Sequence, residues 1–176
     1  MLSVEEYARI YSMLDEVSPL FGDCGQLCGS ICCSNDPFGN EESYIYLLPG
    51  EREYLESCGC TMRIAKEPAK EHFLPASWGE YVHVMHCPGT KMCNRAHRPI
   101  QCRTFPLVPL LRKKGVLEMI MCNDDLPYTC PIIRDKMEIS EDFCKVTLEA
   151  WKLLIEDRAI RDLVKLDSKD RRRRLK

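Results

Sequence analysis

The residues of this chain best suited to chemistry are its twelve cysteines, seven of which fall in two short segments. These seven are Cys24, Cys28, Cys32, Cys33, Cys87, Cys93 and Cys102. Core packing gives no reason for such crowding, whereas thiolates bind Zn²⁺ and iron–sulfur clusters tightly. The two clusters therefore predict a site for a soft or borderline metal.

The spacing within the first cluster suits metal binding. Three residues separate Cys24 from Cys28, and three more separate Cys28 from Cys32. Gaps of about this length let two thiolates from one turn reach the same ion. Cys32 and Cys33 are adjacent, and neighbouring side chains of an extended segment point to opposite sides. Either one of this pair binds the metal while the other packs, or the two serve different metals.

The second cluster adds positive charge and a stiff backbone. Arg98 and Arg103 flank Cys102. We expect guanidinium groups beside thiolates to lower the pKa of the thiols and to offset the negative charge of the site. Pro99 and Pro106 restrict the backbone on either side of the same cysteine.

The two clusters together resemble those of a known family. The first reads Cys-x₃-Cys-Gly-x₂-Cys-Cys, and the second reads Cys-x₅-Cys-x₄-Arg-Pro-x₂-Cys-Arg-x-Phe-Pro. Over about residues 20–131 the chain resembles the YkgJ-type cysteine-cluster family, a zinc- or iron-chelating domain. The segment Leu48-Pro-Gly-Glu51 is similar to the short helix after the family's first cluster. The resemblance implies chelation of zinc or iron, with a 4Fe–4S cluster as one form. Some larger relatives look like flagellin lysine N-methylases with an iron–sulfur centre.

Five cysteines lie outside the two clusters. Cys122 and Cys130 follow a predicted hairpin, and the resemblance implies that Cys130 matches a late Cys-Pro of the family. Both are candidate metal ligands; a buried thiol is the alternative for each, because cysteine is among the most buried residue types. Of the other three, Cys58 and Cys60 are predicted to be core or surface thiols, and Cys144 is predicted to be a core thiol.

Other side chains add less chemistry. His97 lies inside the second cluster and is the best nitrogen ligand, with a structural or solvent-facing role as the alternative. Asp124 and Asp125 lie near cysteines and are candidates to orient metal ligands by hydrogen bonding. The sequence lacks a phosphate-binding loop, a dinucleotide fingerprint and a nucleophile elbow, so it names no catalytic residue.

Helices at the two ends and short strands between them are expected to position these residues. Ser3 and Glu6 have the spacing of a capping box at the start of the first helix. Residues 87–106 are predicted to be a loop, because proline and glycine recur there. The predicted helices cover 3–17, 49–56, a segment that Ser140 caps, and about 157–166; the predicted strands cover 43–48, 60–66, 80–86, 107–112 and 116–121.

Length and charge limit the class of protein. The 176 residues fit one domain, predicted over 1–166, with a basic and disordered tail over 167–176. A net charge of −2 gives no strong signal for nucleic acid. The sequence lacks an apolar run of about 18 residues and a secretory signal, which favours the cytoplasm, where thiols stay reduced. A secreted scaffold of disulfides is the alternative that an even number of cysteines leaves open.

The sequence thus predicts an α+β fold: a small single domain with cysteine-rich loops, a β-hairpin and terminal helices. The first hypothesis for its function is a protein that binds zinc or iron through the nine candidate cysteines, with an unassigned cellular role. The second is an iron–sulfur or zinc enzyme of redox or group-transfer chemistry. The third is an interaction protein that uses the basic tail and needs the metal only as a scaffold.

Overall fold

Helices and antiparallel strands alternate along the chain, whose computed structural model describes residues 1–22, 24–33, 43–87, 89 and 93–176. Within these ranges the helices are α1 (Val4–Asp15), α2 (Glu51–Ser57), α3 (Ile100–Thr104), α4 (Pro131–Arg134), α5 (Glu141–Leu154) and α6 (Arg158–Arg174). The strands are β1 (Tyr44–Tyr46), β2 (Ile64–Pro68), β3 (Tyr81–His86), β4 (Leu107–Leu111) and β5 (Leu117–Met121). The predicted α+β fold with a hairpin and terminal helices is confirmed.

Helix α1 begins at the predicted cap. Ser3 Oγ accepts the backbone N–H of Glu6, and the Glu6 carboxylate accepts the backbone N–H of Ser3. Two amides that have no partner inside the helix are thereby satisfied. The apolar face of α1 supplies four residues to the core: Tyr7, Ile10, Tyr11 and Leu14.

Two small sheets lie between the terminal helices. The first has the order β1-β3-β2, with Tyr44 opposite His86 and Ile64 opposite Met85 in antiparallel register. The second is the hairpin of β4 and β5, with Leu107 opposite Met121. One hydrophobic cluster joins α1, α5 and α6 to the buried ends of these strands.

The basic end of the chain is helical, so the prediction of a disordered tail is wrong for residues 167–174. Helix α6 runs to Arg174 and packs along β4. Ser168 is fully buried, and its hydroxyl accepts the backbone N–H of Leu111 at 2.8 Å. Arg171 donates to the carbonyl of Pro109 at 2.8 Å and pairs with Asp124 at 2.8 Å. Polar groups of α6 thus pair with the hairpin and with the segment after it. The run of basic residues in the sequence does not indicate these contacts.

Among the helices of the described ranges, none combines the length and the apolar composition needed to cross a bilayer.

Candidate metal centre

Five of the nine predicted ligands line one small pocket of about 20 Å³. They are Cys32, Cys33, Cys87, Cys93 and Cys102. A space of this size admits one body about as large as a water molecule. The pocket therefore brings thiols of both clusters around a volume that fits a single ion.

Short elements place the five thiols. Cys87 follows β3 directly, and its backbone N–H donates to Ser43 at 2.8 Å, which continues the pairing of β3 with β1. Cys102 is carried by α3, a helix inside the segment predicted to be a loop; residues 88 and 90–92 of that segment lie outside the described residues. Cys32 and Cys33 belong to a 3₁₀ turn, Ile31–Cys33, in which their sulfurs are 3.9 Å apart.

Arg103 does not serve the thiols as predicted. Arg103 is not among the residues that line the pocket. Its guanidinium donates to the carbonyls of Arg98 at 2.8 Å and Arg95 at 2.7 Å and pairs with Asp15 of α1. It also lies 4.5 Å from the centre of the Tyr11 ring. Arg103 therefore fastens the loop of the second cluster to α1, because a planar fork of donors can bind several carbonyls at once.

Arg98 is the arginine that faces the thiols. It lines the pocket and is hydrogen-bonded to Cys93. Burial opposes its charge, but Cys93 and the nearby Cys33 outweigh burial and raise the pKa of Arg98. Its Nε is buried without a hydrogen-bond partner among the described residues. The guanidinium therefore favours negative charge in the pocket.

Burial governs the protonation of the thiols. Burial raises the pKa of Cys87 to about 11, with added repulsion from Cys33 and Cys93, and Arg98 lowers it only in part. Burial likewise raises the pKa of Cys102 well above its ordinary value. The predicted lowering of these pKa values is therefore wrong for the metal-free chain. Binding of a metal ion would displace these protons, because cysteine binds metal as the thiolate.

The other four predicted ligands lie outside the pocket. Cys24 belongs to a 3₁₀ turn, Cys24–Leu27, and contributes electrostatically to Cys32, while Cys28 follows that turn and is partly buried. Cys122 is buried after β5, and Cys130 caps α4. Burial raises the pKa of Tyr128, and the thiols that add to this effect include Cys102, Cys122 and Cys130. Cys122 and Cys130 are thus close enough to Tyr128 to act on it electrostatically.

The nitrogen and carboxylate candidates have partners elsewhere. His97 Nε2 lies 3.2 Å from the carbonyl oxygen of Cys58, so its ring contacts backbone. Asp124 binds Arg171, and Asp125 binds Arg174 at 2.8 Å. Their carboxylates fix α6 to the segment after β5, and their role in orienting metal ligands stays a prediction.

Sequence reasoning missed two parts of the site. Met62 and Met85 also line the pocket; Met85 lies two residues before Cys87, whereas Met62 is far from both clusters in sequence. Glu51, fully buried, accepts the backbone N–H of Ile100 at 2.7 Å and so holds the start of the helix that bears Cys102. The Leu48-Pro-Gly-Glu51 pattern predicted the start of a helix. It did not indicate that Glu51 is buried, because an acid in the first turn of a helix usually faces solvent.

The donor set fits a thiophilic metal. The pocket gathers thiols and thioethers around a largely apolar space, a combination that favours zinc, copper(I) or iron over magnesium or calcium. In the described residues, no three His, Cys, Asp or Glu side chains are already arranged so that they could hold an ion. Metal binding therefore requires the thiols to turn toward the pocket centre.

Comparison with known proteins adds no identity. No family model, curated protein or solved structure matches this chain. The resemblance of its clusters to the YkgJ-type family stays a prediction that rests on the spacing of the cysteines and on the arginine, proline and phenylalanine residues around Cys102.

Proposed function

We propose that this protein binds zinc or iron through the cysteines of the pocket. The observation that carries the proposal is the meeting of five thiols from two distant segments around a space of about 20 Å³. Arg98 supports it, because its partly buried guanidinium offsets part of the charge that several thiolates bring. Bound metal would fasten the first cluster to the second.

The experiment is elemental analysis of the anaerobically purified full chain together with its ultraviolet–visible spectrum. We expect at least one equivalent of zinc or iron per chain. A colourless zinc protein and a coloured iron–sulfur protein are distinguished at once, because iron–sulfur clusters absorb visible light. Purified chain that holds neither metal, and takes up neither when reduced and reconstituted, would contradict the proposal.

A pair of variants links the metal to the pocket. Cys102→Ser removes a pocket thiol, and we expect it to lower metal content at least about tenfold in equilibrium competition with a chelator. Cys144→Ser is the matched control, because Cys144 is also partly buried but lies on α5. Far-ultraviolet circular dichroism checks that both variants fold. Equal loss or equal retention of metal in the two variants would place the ion elsewhere.

A further inference from the structure

The two outer edges of the β4–β5 hairpin differ in what covers them. Cys122 donates to the carbonyl of Pro106 at 2.8 Å, and hydrogen-bonded pairs alternate along an antiparallel ladder. The odd-numbered residues of both strands therefore direct their backbone N–H and carbonyl groups away from the hairpin. On β4 these residues include Pro109, which lacks an N–H, and Leu111, whose N–H is accepted by Ser168 of α6. Helix α6 thus closes the outer edge of β4.

The outer edge of β5 has no such cover. Its outward groups belong to Leu117, Met119 and Met121, and among the described residues no hydrogen bond reaches their outward N–H or carbonyl groups. Every residue of β5 is partly exposed, and the apolar side chain of Val116 just before it is 55% exposed. Helix α5 contacts both strands, so it lies across one face of the hairpin and leaves this edge open.

The edges of the other sheet carry features that oppose the addition of a strand. Strand β2 has the exposed Lys66 and ends in Pro68, and β1 is only three residues long. Lysine, proline and short length are the means by which edge strands avoid pairing with another chain. Strand β5 has neither lysine nor proline, and its one charged residue is Glu118. Among the described strands, β5 is therefore the one best suited to take up a further strand.

The charges at the two ends of β5 fit a second copy of the same chain. The exposed tip of the hairpin, before β5, carries Lys113 and Lys114. The segment after β5 carries Asp124 and Asp125, and the side chain of Asp125 is exposed. Antiparallel pairing about a two-fold axis places the start of one strand beside the end of its equivalent. Each basic tip would then lie near the acidic segment of the other copy.

One register satisfies both the overlap and the charges. A two-fold axis at Met119 pairs the whole of β5 with itself, with Leu117 opposite Met121 and Glu118 opposite Ile120 of the other copy. The outward groups of the odd-numbered residues then face one another. An axis at Glu118 would set two carboxylates directly opposite, which is unfavourable. A shift of the pairing by one residue would exchange the two faces of the strand.

We propose that two copies of this chain associate through β5 in this register and form one four-stranded sheet, in the order β4-β5-β5-β4. Each outward residue of β5 would exchange backbone hydrogen bonds with its partner in the other copy. The described residues that line the cysteine pocket include none from β4 or β5. The association is therefore a second property of the chain, separate from the proposed binding of metal.

Sedimentation equilibrium of the full chain under reducing conditions tests the association. The reductant excludes copies that are joined by disulfides. From about 1 μM to about 1 mM, we expect the mass to rise from that of one chain to that of two. It should rise no further, because a two-fold pairing uses the open edge of both copies. The mass of a single chain over the whole range, or growth beyond two chains, would overturn the proposal.

Two substitutions at one position test the register. Ile120 is partly exposed, and in the proposed pairing it faces Glu118 of the other copy. Ile120→Glu sets carboxylates opposite each other, so we expect the dissociation constant of the dimer to rise at least about tenfold. Ile120→Lys is the matched control, because it is also polar but faces a carboxylate, and it should change the constant less than about threefold. Far-ultraviolet circular dichroism checks that both variants fold. Equal weakening by the two, or no weakening by Ile120→Glu, would overturn the proposal.

Amide exchange followed by nuclear magnetic resonance locates the interface. In a single chain the outward amides of Leu117, Met119 and Met121 face solvent, whereas those of Glu118 and Ile120 pair with β4. We compare the natural chain with Ile120→Glu at one concentration. The outward amides should be protected at least about tenfold more in the natural chain, and the inward amides should differ less than about twofold. A dimer whose outward amides exchange equally fast in both chains would associate through another surface and so contradict the proposal.

Discussion

One buried carboxylate connects the core to the cysteine pocket. Glu51 accepts the hydroxyl of Tyr11 at 2.8 Å, the backbone N–H of Leu48 at 2.9 Å and that of Ile100 at 2.7 Å. Burial raises the pKa of Glu51, and the three hydrogen bonds favour its charged form. A single side chain thus joins α1, the start of α2 and the start of α3, whose third residue is Cys102.

The change Glu51→Ala tests this connection. It leaves three buried donors without a partner, and we expect the free energy of unfolding to fall by about 3 kcal/mol or more. Because α3 loses its anchor, zinc occupancy should fall as well. Glu53→Ala is the matched control on the exposed side of α2 and should cost less than about 1 kcal/mol. Urea denaturation measures both, and equal effects of the two changes would mean that the three hydrogen bonds contribute little.

Among the elements, α6 shows how tertiary contacts reorganise a charged segment. Its last turns are basic, yet Arg171 is buried and Ser168 is wholly buried against β4. Arg171 neutralises Asp124 and donates to a carbonyl of the hairpin, whereas Arg173 is exposed and pairs with the nearby Asp170. The same residue type is therefore structural at one position and solvated two positions later.

This difference gives a prediction for α6. Arg171→Ala removes one of the two arginine partners of Asp124 and the side-chain donor to the Pro109 carbonyl. We therefore expect a loss of about 2 to 3 kcal/mol in the free energy of unfolding. Arg173→Ala should change it by less than about 0.5 kcal/mol, because exposed ion pairs contribute little. Chemical denaturation of both variants at one ionic strength is the measurement. Comparable stability of the two would show that the basic end does not depend on its contact with β4.

The elements also show what the sequence can predict. Helix α1, the hairpin and the cap of α5 follow from local patterns: a capping box, alternation around Lys113-Lys114-Gly115, and Ser140 before an apolar stripe. Helix α3 does not, because its five residues are stabilised from outside by Glu51. The composition and spacing of the cysteines likewise predict candidate ligands, but which five of them line the pocket depends on the packing of distant segments.

The whole molecule has two unlike parts. One is the hydrophobic cluster of α1, α5 and α6, which includes Leu154 and Ile160 as fully buried residues. The other surrounds the pocket, where short 3₁₀ turns and the small helix α3 bury few apolar side chains. Free energy from burial is therefore concentrated in the first part, since it scales with the apolar area removed from water.

Removal of metal should affect these two parts differently. A ligand that binds only the folded form stabilises the region that holds it, so a chelator should loosen the segments 24–33 and 93–104 while α5 and α6 persist. Hydrogen exchange followed by mass spectrometry measures this: we expect protection of those segments to fall at least about tenfold and protection of α5 to change less than about twofold. Cys102→Ser, which lacks a pocket ligand, should respond little to the same chelator. Uniform loss of protection would mean that the ion holds the whole fold, and unchanged exchange would mean that it does not fasten the clusters together.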